Sequence, residues 1–387
     1  MAITKTNGIL LLIALLCTAC STSEEIAQSP AVTKSNAIST LTPATSPDET
    51  KGPAKSYQTA LANNLKVDAT VDQPQAKVIP TLQVTEKGFS KNALIPTFFG
   101  SADVNEQKDA SETRYSSGEN TLRVPEGAGS FQYTTPTGTY IYSILNNMNS
   151  GPDTIFHSNE LDFMTSADAV NLAAQTFKKL GITPHMPPKL YALDPVALQK
   201  EQDALMKDKD LKWFIDTGKI KFKEKWTKTD QFYYLVFRVD LQAVPCSPIS
   251  YTLQNSEVEV PGSEVRVILS KDGIVSIQIV GTIYDEQSKK GDSRQLLAVE
   301  QALDRLKEKY DAIILKNELT VTDIALEYAP VIVSSKIDSK TGELTNKQTE
   351  MVPAWRFTIS QKYAKAGEAF TSTTNVLLNA VTGKEIQ

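Results

Sequence analysis

The sequence predicts an α+β protein, with helices packed on antiparallel sheets in two tandem helix-plus-meander repeats. Three observations predict it. Two segments carry apolar residues at alternating gaps of three and four, which gives a helix one buried stripe. Most of the remaining folded region alternates apolar and polar residues at period two, broken by Gly-containing turns of the kind that close hairpins. Finally, the order helix, antiparallel strands, closing hairpin occurs twice, from Ser166 to Asp285 and from Asp292 to Gln387, with Glu264–Gly273 matching Thr374–Gly383 in pattern.

The chain opens with Lys5 ahead of the apolar run Ile9–Cys17, then Thr18 and Ala19. That run is far shorter than the ~20 residues a helix needs to span a bilayer, so residues 1–19 are expected to form a signal peptide. The segment Leu16-Cys17-Thr18-Ala19-Cys20 resembles the lipobox of bacterial lipoproteins, with Cys17 where that motif usually has leucine. The resemblance implies a diacylglycerol on Cys20, cleavage in front of it, and an extracytoplasmic protein anchored to the cell membrane or the outer membrane. Residues 20–87 are rich in Ser, Thr, Ala, Pro, Gln and Lys, with Tyr57 the sole aromatic. Such composition predicts a disordered tether, whose root-mean-square span would be roughly 45 Å.

Residues 88–165 are expected to form a β-rich region. Thr121–Val124 and Ser130–Tyr133 flank the turn Pro125-Glu126-Gly127-Ala128-Gly129 and read as a hairpin, with a further strand at Thr139–Leu145. In the first repeat, residues 166–290, Val170, Ala173, Phe177 and Leu180 mark a helix behind Thr165 and Ser166, stopped by Gly181. A polar helix is expected from Pro195 to about Lys207. Ile220, Phe222 and Trp226 alternate with Lys219, Lys221, Lys223 and Lys225, which predicts a strand with a row of ammonium groups on one face. Phe232–Leu241 reads as a buried strand, and Glu264–Leu269 with Ile274–Ile283 as a hairpin about Asp272-Gly273.

The second repeat, residues 291–387, begins with a helix defined by Leu296, Val299, Leu303, Leu306 and Tyr310 behind the cap candidates Asp292 and Ser293. Strands are expected at Thr320–Tyr328, Val331–Ile337, Pro353–Ser360 and Thr373–Val381. Turns fall at Asp338–Glu343 and Thr382-Gly383-Lys384.

Composition bounds the chemistry. The 387 residues are 41% hydrophobic and 22% charged, enough for a sizeable core, and a formal net charge of −5 gives no bulk attraction to nucleic acid. With Cys20 acylated, Cys246 is the one cysteine left in the mature chain, which excludes a disulfide framework and a cysteine zinc site. The two histidines, His157 and His185, belong to no metal or triad motif, and Gly-rich phosphate loops are absent. Neither a cofactor nor a metal is expected. Glu160 with Asp162 offers two carboxylates, but nearness in sequence does not set the separation across a cleft that a glycosidase needs, and Cys246 between Pro245 and Pro248 is a thiol that reads either as a buried apolar group or as a reactive one. The row Lys219, Lys221, Lys223, Lys225 either contacts an anionic lipid or wall polymer or protects a sheet edge.

Three motifs, Leu326-Glu327-Tyr328-Ala329-Pro330, Val352-Pro353-Ala354-Trp355-Arg356-Phe357 and Asn379–Ile386, resemble the PepSY-like modules of accessory proteins of Firmicute cell-wall sensor kinases. The likeness covers roughly the last 95 residues and singles out Pro353, Trp355, Arg356 and Gly383. It implies a non-catalytic regulator outside the membrane, although such proteins usually carry a transmembrane helix where this chain has the lipobox-like segment. The expectation is therefore a lipid-anchored binding or regulatory protein acting on an envelope protein or wall polymer. A carboxylate-based envelope hydrolase is the alternative.

Overall fold

The computed structural model describes residues 51–386, apart from 75–77, 158, 254–257, 291–293, 312, 314, 316, 338–343 and 366–367. The expected leader, Cys20, the tether up to residue 50, the cap candidates Asp292 and Ser293 and the turn at 338–343 lie outside these described residues. The fold is α+β with mostly antiparallel sheets, as the periodicities predict.

The tether expectation is corrected from residue 51 onward. β1 (Lys51–Ala62) and β2 (Leu65–Pro74) form an antiparallel hairpin, and β3 (Thr81–Glu86) is a further strand. Leu65, Val67, Ala69 and Val71 are buried while Lys66, Asp68 and Thr70 are exposed, so only every second side chain had to be apolar. A polar average conceals a strand with one wet face.

α1 (Lys91–Phe98) is capped by Ser90, whose hydroxyl accepts from the Ala93 amide at 3.2 Å. β4 (Asn105–Lys108), β5 (Glu112–Ser117), β6 (Asn120–Pro125) and β7 (Gln132–Thr134) follow as a meander, with Leu122 opposite Tyr133 in the expected hairpin. The strand expected at Thr139–Leu145 is instead α2 (Pro136–Leu145). Thr135 accepts from the Gly138 amide at 3.2 Å and Pro136 occupies the first turn, and this start signal overrides the β-branched and aromatic content. α3 (Pro152–Ile155) is a single turn, and α4 (Ser166–Lys179) is the predicted amphipathic helix, burying Ala169, Ala173, Thr176 and Phe177. β8 (Lys189–Leu193), α5 (Pro195–Leu205), α6 (Lys212–Asp216) and β9 (Phe232–Arg238) come next.

The lysine strand is not formed. Between α6 and β9 the chain runs as turns and irregular backbone, because side chains of α5 take its hydrogen bonds in place of a neighbouring strand. Gln202 Nε2 donates to the Lys223 carbonyl at 2.6 Å, and the Trp226 amide donates to Gln199 Oε1 at 3.0 Å. Alternation without a partner edge does not make a strand.

Four short strands, β10 (Asp240–Leu241), β11 (Val244–Pro245), β12 (Tyr251–Thr252) and β13 (Glu259–Val260), lead to β14 (Ser263–Ser270), β15 (Gly273–Gly281) and β16 (Tyr284–Lys290). Gly273, at φ 109°, closes the predicted β14–β15 hairpin. α7 (Val299–Asp311) buries Val299, Ala302, Leu303 and Leu306 and starts later than the stripe predicts. β17 (Leu319–Ile337) is one strand where two were expected. It runs through Pro330, beyond the end of its pairing with β2 at Val321, where no strand needs the missing N–H and the Pro330 carbonyl accepts from the Tyr251 hydroxyl at 2.7 Å. β18 (Leu344–Lys365) and β19 (Glu368–Asn379) complete the strands among the described residues.

An eight-stranded sheet has the order β4-β5-β6-β7-β15-β14-β9-β8, and a seven-stranded sheet the order β1-β2-β17-β18-β3-β16, with β19 on β18. The expected boundaries at 165 and 290 therefore do not separate sheets. β7 pairs β15, and β16 pairs β3. After α4 the strands β8, β9, β14 and β15 are successive neighbours, and after α7 so are β17, β18 and β19. The eight-stranded sheet is covered on both faces. Tyr233, Leu235 and Phe237 of β9 pack in one core with Phe177 of α4, whereas Phe232 and Tyr234 pack in another with Ile141 of α2 and Leu198 of α5. Burial on both faces explains the unbroken apolar run of β9. The seven-stranded sheet buries Val67, Leu82, Trp355 and Phe357 against Leu303 and Leu306 of α7, each large side chain contributing about 1.5–3 kcal/mol.

Candidate functional site

Two regions concentrate charge, and they differ in access. The first lies where β9 meets the seven-stranded sheet. Glu327 of β17 is fully buried and Arg356 of β18 is a near neighbour in the same ladder, because Leu326 pairs with Trp355 and Ala325 with Arg356. Arg238, the last residue of β9, donates to Glu327 Oε2 at 2.5 Å, and Arg356 Nε donates to the same oxygen at 3.1 Å. Arg356 also pairs with Asp323 at 2.8 Å. Glu327 Oε1 is buried and takes no hydrogen bond. The Arg238 guanidinium further donates to the Cys246 carbonyl at 3.1 Å, and the Ser247 amide donates to the Tyr328 carbonyl at 2.7 Å. These bonds stitch the two sheets together.

The residues singled out by motif fall on this sheet as supports. Trp355 is 1% exposed and its indole donates to the Leu297 carbonyl at 3.0 Å. Pro353 is buried opposite Tyr328, and its carbonyl accepts from the Ala380 amide at 2.8 Å. Gly383 sits at φ 71°, where an added Cβ would lie 3.0 Å from Arg305 Cγ, so the turn after β19 packs against α7 only as glycine.

Single catalytic candidates are engaged elsewhere. The Glu160 carboxylate accepts from Ser166 Oγ and from the Ser166 amide at 2.5 and 2.7 Å, and these bonds hold its pKa below the ordinary range. It caps α4, and Tyr233 OH donates to it at 3.2 Å, while Asp162 is exposed. Cys246 is buried, and desolvation pushes its thiol up to about 12, so it is protonated at neutral pH. This matches the buried apolar reading of that cysteine. His185 Nδ1 lies 2.9 Å from Asp240 Oδ1, a pair that sequence distance concealed. The backbone of His157 bridges to Ala192. Among the described residues, no group of three or more His, Cys, Asp or Glu side chains is arranged to hold a metal ion.

The second region is open. A cleft of about 440 Å³ is lined by Tyr140, Met206, Ile215, Ile220, Lys221 and Phe222, among others, between α2, the end of α5, α6 and the irregular segment that follows. Its lining mixes these apolar side chains with Lys221, Lys223 and Glu224, and its size falls within the range of ligand sites. The four predicted lysines are divided by the structure. Lys223 is paired with Asp230 at 2.6 Å, while Lys221 lines the cleft, Lys225 is exposed, and Lys219 Nζ lies 4.2 Å over the Trp213 ring. Trp213 is 57% exposed, the most exposed tryptophan, and sequence reasoning missed it. The available signal was an aromatic pair, Trp213-Phe214, inside an otherwise polar, lysine-rich stretch.

Among the described residues no helix is long and apolar enough to cross a membrane. No protein-family model matches the chain, and no curated protein matches it. The crystal structure of an uncharacterized protein from Eubacterium rectale ATCC 33656 is similar, with a TM-score of 0.62 and 16% identity over 84% of this chain and 91% of that one. That likeness is one of fold.

Proposed function

We propose that this chain is a lipid-anchored extracytoplasmic binding protein, non-catalytic and regulatory, that engages an envelope protein or polymer through the cleft beside α6. The lipobox-like Cys20 supports the anchor, at the cell membrane or the outer membrane. The PepSY-like motifs around Pro353, Trp355, Arg356 and Gly383 support a regulatory role and a tandem repeat of that module. The observation that carries the reading is the contrast in access. The Glu327 carboxylate is fully buried against its arginines, whereas the cleft presents apolar side chains and Lys221, which forms no salt bridge, to solvent. Glu160 supports the same choice over a carboxylate hydrolase, since its oxygens cap α4.

The test is crosslinking in intact cells followed by recovery of the full chain. The wild type is compared with Cys20→Ala, which removes the anchor, and with Met206→Glu, which places a carboxylate on the cleft wall. Recovery of one partner by the wild type and its loss from both variants is the expected result. Equal recovery with Met206→Glu removes the cleft from the reading, and turnover of a wall glycan or peptide by the purified chain removes the non-catalytic assignment.

A further inference from the structure

We infer that the lysine-rich turn around Trp213 docks the folded body onto an anionic lipid bilayer, with the Trp213 indole as its interfacial anchor. The inference goes beyond the binding reading above, which concerns the cleft and a protein or polymer partner: it assigns a lipid surface to the turn beside that cleft. Residues 206–228 hold eight lysines against four acids, a formal +4 in a chain of −5, which leaves −9 for everything else. A surface of negative potential therefore attracts this segment while repelling the remainder, and the molecule is oriented before it touches. Ion pairing engages Lys212 with Asp216 inside the segment and Lys223 with Asp230 just beyond it, which lowers the excess to +3. Among the described residues, Lys207, Lys209, Lys219, Lys221, Lys225 and Lys228 form no salt bridge.

The apolar component identifies the surface. Trp213 is 57% exposed and Met206 47%, whereas Trp226 and Trp355 are 5% and 1% exposed. A hydrated polyanion of the wall offers phosphates or carboxylates to the lysines but no medium in which to bury an indole. A bilayer interface offers both, and tryptophan partitions there while lysine stems extend to the headgroups. The turn is also braced. The Lys219 and Ile220 amides donate to the Phe214 carbonyl at 2.9 and 3.0 Å, and Thr217 Oγ1 donates to the Trp213 carbonyl at 2.8 Å. Gly218, at φ 70°, permits the reversal that sets Lys219 over the indole, and Phe214 meets the indole edge-on at 5.0 Å. Charge and indole are presented together with little ordering left to do on contact.

The experiment titrates the full chain with vesicles of phosphatidylglycerol and phosphatidylcholine carrying brominated acyl chains, and with vesicles of phosphatidylcholine alone. Because the apolar leader can itself reach vesicles, the readout is indole emission instead of sedimentation. Emission is expected to shift blue and to be quenched on the anionic vesicles only, and Trp213→Phe should abolish the change. A Lys219→Gln, Lys221→Gln, Lys225→Gln variant should raise the lipid concentration at half-quenching by on the order of 100-fold, since each lysine near such a surface is worth about fivefold. Emission that ignores anionic lipid overturns the inference. If Met206→Glu then still abolishes partner recovery from cells, the binding reading survives that failure. Retention on purified cell wall with no response to vesicles also overturns it.

Discussion

Arg238 and Arg356 meet a carboxylate inside the molecule, whereas Lys219, Lys221 and Lys225 meet water on its surface. Both groups are cationic, yet they differ in the work their charge does. At Glu327 the ions are largely withdrawn from solvent, their attraction is little screened, and the hydrogen bonds fix how β9 sits against β17 and β18. On the segment after α6 the ammonium groups are solvated and contribute little to folding, so they remain available to an external anion. Convergence of charge is thus a poor guide to function unless access is considered with it.

The largest effect that would sharpen this contrast is expected inside. Arg238→Met combined with Arg356→Met leaves the buried Glu327 carboxylate without a cation, and unfolding in urea should show a loss of roughly 3–5 kcal/mol. A loss under 1 kcal/mol would mean the junction does not hold the sheets. The tryptophans give the next comparison. Trp355→Phe opens a hole in the core and strands the Leu297 carbonyl, for an expected cost of about 1–3 kcal/mol, while Trp213→Phe should stay within about 0.5 kcal/mol in the same denaturation assay.

A smaller effect is expected at Glu112. Burial pushes its pKa up, but the Arg123 and Arg114 guanidiniums outweigh burial and hold the carboxyl below its ordinary range. A depressed folded-state pKa contributes stability that is present above the unfolded value and lost as pH falls through the folded one. Glu112→Gln should therefore cost about 1 kcal/mol at neutral pH, and the gap from wild type should close on acidification. A gap independent of pH would assign the effect to packing. Last, Cys246 should stay unmodified by thiol reagents in the native protein, with its peptide labelled only in denaturant, as mass spectrometry can follow. Rapid native labelling would move it to the accessible class.

Elements whose partners are local were legible. The α4 and α7 stripes, the β14–β15 turn and the β6–β7 hairpin each carry their own signal within a dozen residues. β1 to β3 were hidden by averaging, although the alternation Leu65, Val67, Ala69, Val71 is present in the sequence. α2 was misread because Tyr140 and Ile141 favour strands, while Thr135-Pro136 sets a helix start. At 219–225 the alternation was real, but no strand edge lies beside it. The Glu327 junction was out of reach in principle, since Arg238 arrives from a different sheet. Lys219, Lys221 and Lys225 are exposed as the sequence predicts, but on a different backbone, and Trp213 escapes the sequence because one aromatic pair, Trp213-Phe214, gives no periodic signal.

The parallel pairing of β2 with β17 sets Leu65 beside Leu319, about three-quarters of the described span apart. In kinetic terms the seven-stranded sheet closes late. The β1–β2 hairpin is synthesised early and is marginal by itself, so it must persist until α7, β17 and β18 exist to receive it. The eight-stranded sheet lies wholly within the intervening chain and needs neither end. This topology predicts assembly from the middle of the chain outward, with the open edge of β2 waiting in that interval for β17 to cover it.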